Sequence, residues 1–478
     1  MDKKTATGKA SLKHGSYSML MVILVLAFLV AVNILINKLP TGWVSYDISD
    51  VKLFSIGDKT REVAKSLDKD VTIYLIGETG NYDYIITQML KLYEDQSSKI
   101  HVKNLDVNRN FATLREYGLE GETIDNGSIL VVSDLRSKFI PESDIYELDV
   151  AKFAQSQYQT KYYNYDGEGE VTSALVYVTT SDIPKIYKVV GHNEDELGEI
   201  IMASIKKANY DIADINLMSD TIANDCDILL INSPQNDYTQ MECDLIRDYV
   251  DHGGKIMISC AYENAEKTEN FRNLLVYLGI ELKTGVVCEQ SDRTLSSESP
   301  YMYLANVSTS SSLTKEMSQN SYVFVSVSTG LYTAETKKKS LTLSPFLQTT
   351  SGSFQCLDLA REKFVQKTGD ISGPITIGLT GEDSLSGMKM VVFGSNRLVD
   401  NALLEAYPNI LNGDLYIAAL NYLCSFDRSV SIPVKVTDFG KNLYMMSNRN
   451  MALVISAVIL PITVLLIGFI VWYRRRNR

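Results

Sequence analysis

Two apolar runs dominate the hydropathy pattern: residues 19–36, interrupted only by Asn33, and residues 451–473, which carry no charge. At about 1.5 Å of rise per residue, each is long enough for a helix across a hydrocarbon layer of roughly 30 Å. They predict transmembrane helices over 17–37 and 451–473. Between them the pattern breaks into short alternating and helical stretches, as in a folded body. In its first part, a helix is expected to run through Leu67, and residues 71–76 read as a strand by β-branched content. Ile85, Ile86, Met89, Leu90 and Tyr93 recur at helical spacing. Residues 100–107 and 128–133 read as two more strands, with a short helix over 111–117 stopped by Gly118. The alternation over 45–145 predicts a small α/β layer domain of thioredoxin-like topology. It lacks the redox pair of cysteines, so disulfide exchange is not expected of it.

Residues 146–184 are polar and rich in tyrosine, and read as a connection. A second pattern then begins. Strands are expected at 185–190, 227–231, 255–259 and 388–393, and helices at 194–208, 239–252 and 413–424. Thr239 and Glu242 have the spacing of a capping box, and Gly253-Gly254 supplies the stop. Buried strands alternating with crossover helices predict a mainly parallel, doubly wound α/β sheet over 185–430. Residues 285–350, rich in Ser and Thr without a clean period, read as an insertion or surface subdomain, with 323–327 a candidate extra strand. Residues 431–450 read as a stalk leading to the second span.

Charge orients the chain. Lys3, Lys4, Lys9 and Lys13 precede the first span, and Arg474, Arg475, Arg476 and Arg478 follow the second. Basic residues at span ends stay on the cytoplasmic side. The tails 1–16 and 474–478 are therefore expected inside, and the body outside the cytoplasmic membrane. A cleaved signal peptide fits less well, because the first run exceeds the usual length of about 7–15 apolar residues. Asn37-Lys38-Leu39-Pro40 is also no small-residue cleavage site. The chain holds 46 Lys and Arg against 58 Asp and Glu, and the tails carry eight of the cations. A body that acidic is a poor partner for nucleic acid, whose affinity rests on Lys and Arg. The six cysteines form no CxxC pair and have no His at zinc-ligand spacing. An outside location permits disulfides, but the simplest role for most of the six is as small buried apolar residues.

In open α/β sheets, ligands bind at the carboxyl ends of the strands. His192, Asn232, Ser233, Cys260, Ser395 and Asn396 each follow an expected strand, so this edge, with Asn193 and Glu194, is the candidate ligand site. His192 stands out among only four histidines. A plainer reading competes: Asn193 caps the next helix, Glu194, Asp195 and Glu196 favour its positive end, and His192 is a polar turn residue. That acidic turn disfavours anions and suits a cationic or sugar ligand better. Catalysis is not expected. Cys260 ends a strand, but the Gly-x-Cys-x-Gly surround of a strand-end nucleophile is absent and no His follows His252. No Gly-x-Ser-x-Gly occurs either. Gly57-Asp58-Lys59-Thr60 lacks the Gly directly before Lys that a phosphate loop needs, so no bound nucleotide is expected, and no cofactor or metal. In the second span, Pro461 and Gly468 offer a kink or a close helix approach, as for docking to another membrane protein.

Several spread motifs point to a family. Between the two spans stand Gly191-His192-Asn193-Glu194, Asn209-Tyr210-Asp211, the stretches 226–234 and 245–255, then 391–396 and 414–423. This order resembles the GldG-like auxiliary components of ABC-type, gliding-motility-associated transport systems, over nearly the whole chain. The resemblance implies that the second domain is similar to class I glutamine amidotransferases that have lost the enzyme. It also implies an ABC-2-type permease and its cytoplasmic ATPase as partners; it does not imply gliding. The family's usual Gly-His-Gly-Glu is altered here by Asn193, and residues 285–350 follow no family pattern. The expected protein is thus a non-catalytic accessory subunit of an ABC transport complex, anchored by both spans. Two alternatives stay open: an envelope enzyme acting on glycan or peptide at the His192 edge, and a free-standing ligand receptor.

Overall fold

The computed structural model describes residues 53–119, 124–157, 159, 163–315, 317, 322–407, 410–424, 432, 434 and 435. The expected spans 17–37 and 451–473, with Pro461 and Gly468, the basic tails and nearly all of 431–450 lie outside these residues. Among the described residues no helix is long and apolar enough to cross a membrane. The chain forms two compact units. The first takes in residues up to Leu148, then Tyr162–Thr179, then the chain from Ile432; the second holds Asp149–Lys161 and Thr180–Ser431.

The first unit runs α1 (Asp58–Ser66), β1 (Val71–Gly77), α2 (Tyr84–Gln96), β2 (Ile100–Asp106), α3 (Phe111–Glu116), β3 (Ile129–Val132), β4 (Ser137–Ile140), α4 (Glu142–Ile145) and β5 (Tyr146–Leu148). After α5 (Val150–Gln155), which belongs to the second unit, it resumes with β6 (Tyr163–Tyr165) and α6 (Gly167–Thr179). Its sheet has the order β2-β1-β3-β4. β1 and β2 are parallel, and β3 is antiparallel to both its neighbours. Asp83 caps α2 by accepting from Ile86 N at 2.8 Å. The helix then buries Ile85, Ile86, Met89, Leu90 and Tyr93, the set its spacing predicts. These pack with Val71, Ile73 and Leu75 of β1 and with Val171, Ala174, Leu175 and Val178 of α6.

The stretch 146–184 is therefore more than the connection expected of it. It contains the antiparallel β5–β6 pair and α6, a helix buried along most of its length. Its Gly-Glu-Gly-Glu start reads as a polar loop, yet Glu168 and Glu170 are both buried.

In the second unit the chain runs β7 (Lys185–Val189), α7 (Glu199–Lys207), β8 (Asp211–Ile215), β9 (Ile228–Asn232), α8 (Gln240–Asp251), β10 (Lys255–Ser259), α9 (Asn264–Lys267) and α10 (Glu269–Tyr277). Ten strands follow: β11 (Ile280–Leu282), β12 (Val286–Glu289), β13 (Met302–Val307), β14 (Tyr322–Ser326), β15 (Leu331–Thr333), β16 (Leu341–Gln348), β17 (Ser353–Cys356), β18 (Ile371–Ser372), β19 (Thr376–Asp383) and β20 (Lys389–Phe393). The unit ends with α11 (Asn401–Ala406) and α12 (Asn412–Cys424). Nine strands form one sheet, in the order β14-β13-β16-β19-β20-β10-β9-β7-β8. From β20 to β8 all pairings are parallel. From β14 to β20 all are antiparallel.

Alternate strand residues serve opposite faces. Ile228, Leu230 and Met257 pack with Ile201, Ile205, Leu415 and Ala419 of α7 and α12. Leu229, Ile231 and Ile256 pack with Ile246, Val250, Phe271 and Leu274 of α8 and α10. The parallel half is thus covered on both sides. Two expectations need correction. The sheet is mixed rather than mainly parallel. The cause is residues 285–350, which supply β13, β14 and β16 to the main sheet instead of a surface subdomain, together with β19, antiparallel to both β16 and β20. Buried positions such as Tyr303, Ala305, Val323 and Val325 lie in short strands separated by polar turns that hide the alternation.

Candidate functional site

The parallel strands place their following turns along one edge. From β7 the chain passes outward to β8 and then returns to β9 on the other side of β7, so the strand order reverses between β7 and β9. Such a reversal opens a crevice at the carboxyl ends, the usual ligand position in open α/β sheets. Here the two bordering turns bind each other. His192 O accepts from Gln235 N at 3.1 Å and Asn236 N at 2.9 Å. Asp195 N donates to Asn232 O at 2.9 Å, and Asn232 Nδ2 to Asp195 O at 2.6 Å. The polar groups that could greet a ligand are largely spent on this lacing.

The His192 side chain points inward. Its Nε2 lies 3.4 Å from Glu242 Oε2 and its Nδ1 3.9 Å from Glu194 Oε1, and all three side chains are more than nine-tenths buried. Tyr238 meets the imidazole edge-on, with ring centroids 4.7 Å apart, and donates to Glu194 Oε1 at 3.1 Å. Burial, then the neighbouring Glu194 carboxylate, hold the Tyr238 hydroxyl well above its ordinary range. Glu242 also closes the capping box of α8: its Oε2 accepts from Thr239 N at 2.8 Å, and Glu242 N donates to Thr239 Oγ1 at 3.3 Å. Among the described residues, His192 Nδ1 and Glu242 Oε1 have no hydrogen-bond partner although both are buried.

The remaining candidates divide between an outer network and the interior. Asn396 Nδ2 donates to Asp195 Oδ2, and Gln235 Nε2 to Asp195 Oδ1 at 3.3 Å. Ser395 is buried and its Oγ donates to Val327 O at 3.0 Å. Ser233 is fully buried in a left-handed backbone conformation, φ +50°, and donates to Asn264 Oδ1 at 3.3 Å. Cys260 is also fully buried, and burial pushes its thiol up, away from the thiolate a nucleophile requires. So the strand-end residues do gather at one edge. His192, Ser233, Cys260 and Ser395 face inward there, while Asn232 and Asn396 tie the edge to Asp195.

One expectation fails. Asn193 does not cap a helix, and Glu194, Asp195 and Glu196 do not form a helical first turn. The helix begins after Gly198, with Glu199 as its acidic first-turn residue. Asn193 instead takes a left-handed turn conformation, φ +53°. Glu194 folds back so that its Oε2 accepts from His192 N at 2.8 Å. A Cβ at Gly198 would come within 2.2 Å of Asn401 Oδ1, so a larger residue must displace that side chain from its bond with Ile200 N. The acidic charge at the helix start is therefore Glu199 alone, and Glu194, Asp195 and Glu196 lie before it.

Sequence reasoning missed Asp195, Tyr238 and Asn264 as parts of this edge, and read Glu242 only as a cap. The available signal was position: all four follow β7, β9 or β10, whose parallel register brings their ends together. Among the described residues no cluster of three or more His, Cys, Asp or Glu could hold a metal ion.

The second unit is thus a mixed α/β fold whose crevice-bordering turns bond to each other and whose strand-end thiol is buried. Residues 181–371 match a family model described as ABC-type uncharacterized transport system. No curated protein matches the chain. Three solved structures are similar. The mmIFT52 N-terminal domain is 16% identical, with 52% of this chain and 100% of that one covered, at a TM-score of 0.39. A ThuA-like protein from Bacteroides uniformis is 12% identical, covering 52% and 96%, at 0.33. A glutamine amidotransferase from Thermotoga maritima is 10% identical, covering 51% and 99%, at 0.29.

Proposed function

We propose that this chain is a non-catalytic accessory component of an ABC transport complex, of the GldG-like kind. In this reading it spans the cytoplasmic membrane twice, keeps both termini inside and holds its body outside. Its first unit is a thioredoxin-type layer, and its second an amidotransferase-like sheet without the enzyme. Its partners are an ABC-2-type permease and a cytoplasmic ATPase, which supplies the energy. The match of residues 181–371 to a transport-system family carries the proposal. The apolar runs at 17–37 and 451–473, with their basic flanks, support the anchoring. The buried Cys260 and the self-satisfied turns around His192 favour a binding or scaffolding role over catalysis.

The test is a mild-detergent pull-down of the tagged chain from its own membranes, with mass spectrometry of what stays bound. A multi-span permease and an ATPase at near-stoichiometric levels are expected. Recovery of the chain alone, under conditions that keep other ABC complexes intact, would sink the reading, as would ATP hydrolysis by the isolated chain.

A further inference from the structure

In the first unit, one buried carboxylate joins two stretches of chain that lie far apart in sequence. Glu168 is the second residue of α6, and its two oxygens serve different segments. Oε1 accepts from Gly57 N and from Thr60 Oγ1, each at 2.6 Å. Oε2 lies 2.9 Å from Lys435 Nζ. The same ammonium donates to Ser55 O at 2.9 Å, across 380 positions of sequence. Lys435 is held by its backbone as well. Lys435 N donates to Tyr165 O, and Tyr165 N to Lys435 O, both at 2.9 Å. Tyr93 of α2 closes the cluster by donating to Glu168 O at 2.9 Å.

The pair is not a surface ornament. The Glu168 side chain is 6% exposed and that of Lys435 15%. An exposed ion pair would hold two segments weakly, but here loss of either partner strands the other charge in the interior. The incoming segment 55–60 and the outgoing residue 435 are thus fastened to α6 and to one another. Between them the whole of Thr180–Ser431 is inserted.

We infer that Glu168 is the junction that couples the two membrane segments. The inference rests on the two-span reading: residues 38–54 lead from the first span to the junction, and residues 436–450 lead from it to the second. Fully extended, linkers of those lengths reach about 50–60 Å, so both spans are tethered within that distance of one carboxylate. The shortest chain path between the spans therefore runs through this junction and not through the inserted unit.

The test uses the full chain in its own membranes, with Ser45→Cys and Ser447→Cys placing one thiol in each linker. Lys435→Met and Glu168→Gln break the ion pair, and Lys435→Arg keeps it. Hydrogen exchange is measured over residues 53–60, with β1 as the control for an intact fold. Lys435→Met is expected to speed exchange over 53–60 while β1 stays protected, and Lys435→Arg to restore it. If Lys435→Met loosens β1 as well, Glu168→Gln decides, because it keeps an acceptor for Gly57 and Thr60. A bifunctional thiol reagent should link the two introduced thiols in the parent and link them less readily in both pair-breaking variants, where the main-chain bonds to Tyr165 still hold residue 435. Unchanged exchange over 53–60, or an undiminished link, overturns the junction. A membrane-impermeant thiol label tests the topology separately. Failure to label both linkers from outside refutes the two-span reading, while the exchange result still decides whether Glu168 joins the two segments.

Discussion

The His192 imidazole occupies the gap between two buried carboxylates, Glu194 and Glu242. Truncating it opens a cavity beside the Tyr238 ring and both carboxylates. His192→Ala is therefore expected to cost the second unit about 2–4 kcal/mol, the range for emptying a buried side-chain site. Urea denaturation of the intact chain measures this; a loss below about 1 kcal/mol would mean the site closes around the smaller side chain. Cys260 makes the opposite kind of prediction. Its thiol is fully buried and pushed up by that burial, so an alkylating reagent should leave it unmodified in the native chain and reach it only on unfolding. Native-state labelling of Cys260 would reopen the question of a nucleophile. The positions of these residues were legible, since each directly follows a strand with a clear apolar pattern. Their orientations were not. Whether a strand-end side chain turns into the crevice or into the interior depends on the left-handed turns at Asn193 and Ser233, which a sequence does not display.

Helix α6 shows how elements can be hidden. Its first turn contains Glu168 and Glu170, and a buried helix is not expected to begin with two carboxylates. What admits them is distant: Lys435 beside Glu168, and Lys138 near Glu170. By contrast, the capping box at Thr239 and Glu242 is local, so it was readable and is present. Glu170 gives the element its own pH dependence. Burial pushes its carboxyl up to about 7 from an ordinary 4.5, against the pull of Lys138, while Asp144 and Glu147 push the same way as burial. Burial also lowers the Lys138 ammonium. With a raised folded-state value, the folded chain holds a proton that the unfolded chain has released. The first unit should therefore lose stability from this group as pH rises from about 4.5 to about 7, and change little from it outside that window. Glu170→Gln removes the slope. The variant should match the parent below the window and exceed it by roughly 1–3 kcal/mol above it. Denaturation series for both chains between pH 4 and 8 are the check, and a parent–variant difference independent of pH would contradict the assignment.

At the scale of the molecule, the second unit is an insertion in the first. The chain leaves the first unit briefly for Asp149–Lys161, returns for β6 and α6, then builds the nine-stranded sheet and rejoins the first unit from Ile432. The two units have separate cores. One centres on β1, α2 and α6, and the others line the two faces of the large sheet, with no residue in common. Cooperativity follows shared burial, so separate cores predict separate unfolding events. Denaturant should reveal two transitions. Glu170→Gln, measured near pH 7, should raise the midpoint of one and leave the other in place, while His192→Ala should lower only the second. Because the two sites belong to different cores, the double variant should show both shifts with little interaction between them, within about 0.3–0.5 kcal/mol. A single transition moved by both substitutions would show that the insertion and its host fold as one cooperative body. The Glu168–Lys435 clasp would then be closing the whole chain and not the first unit alone.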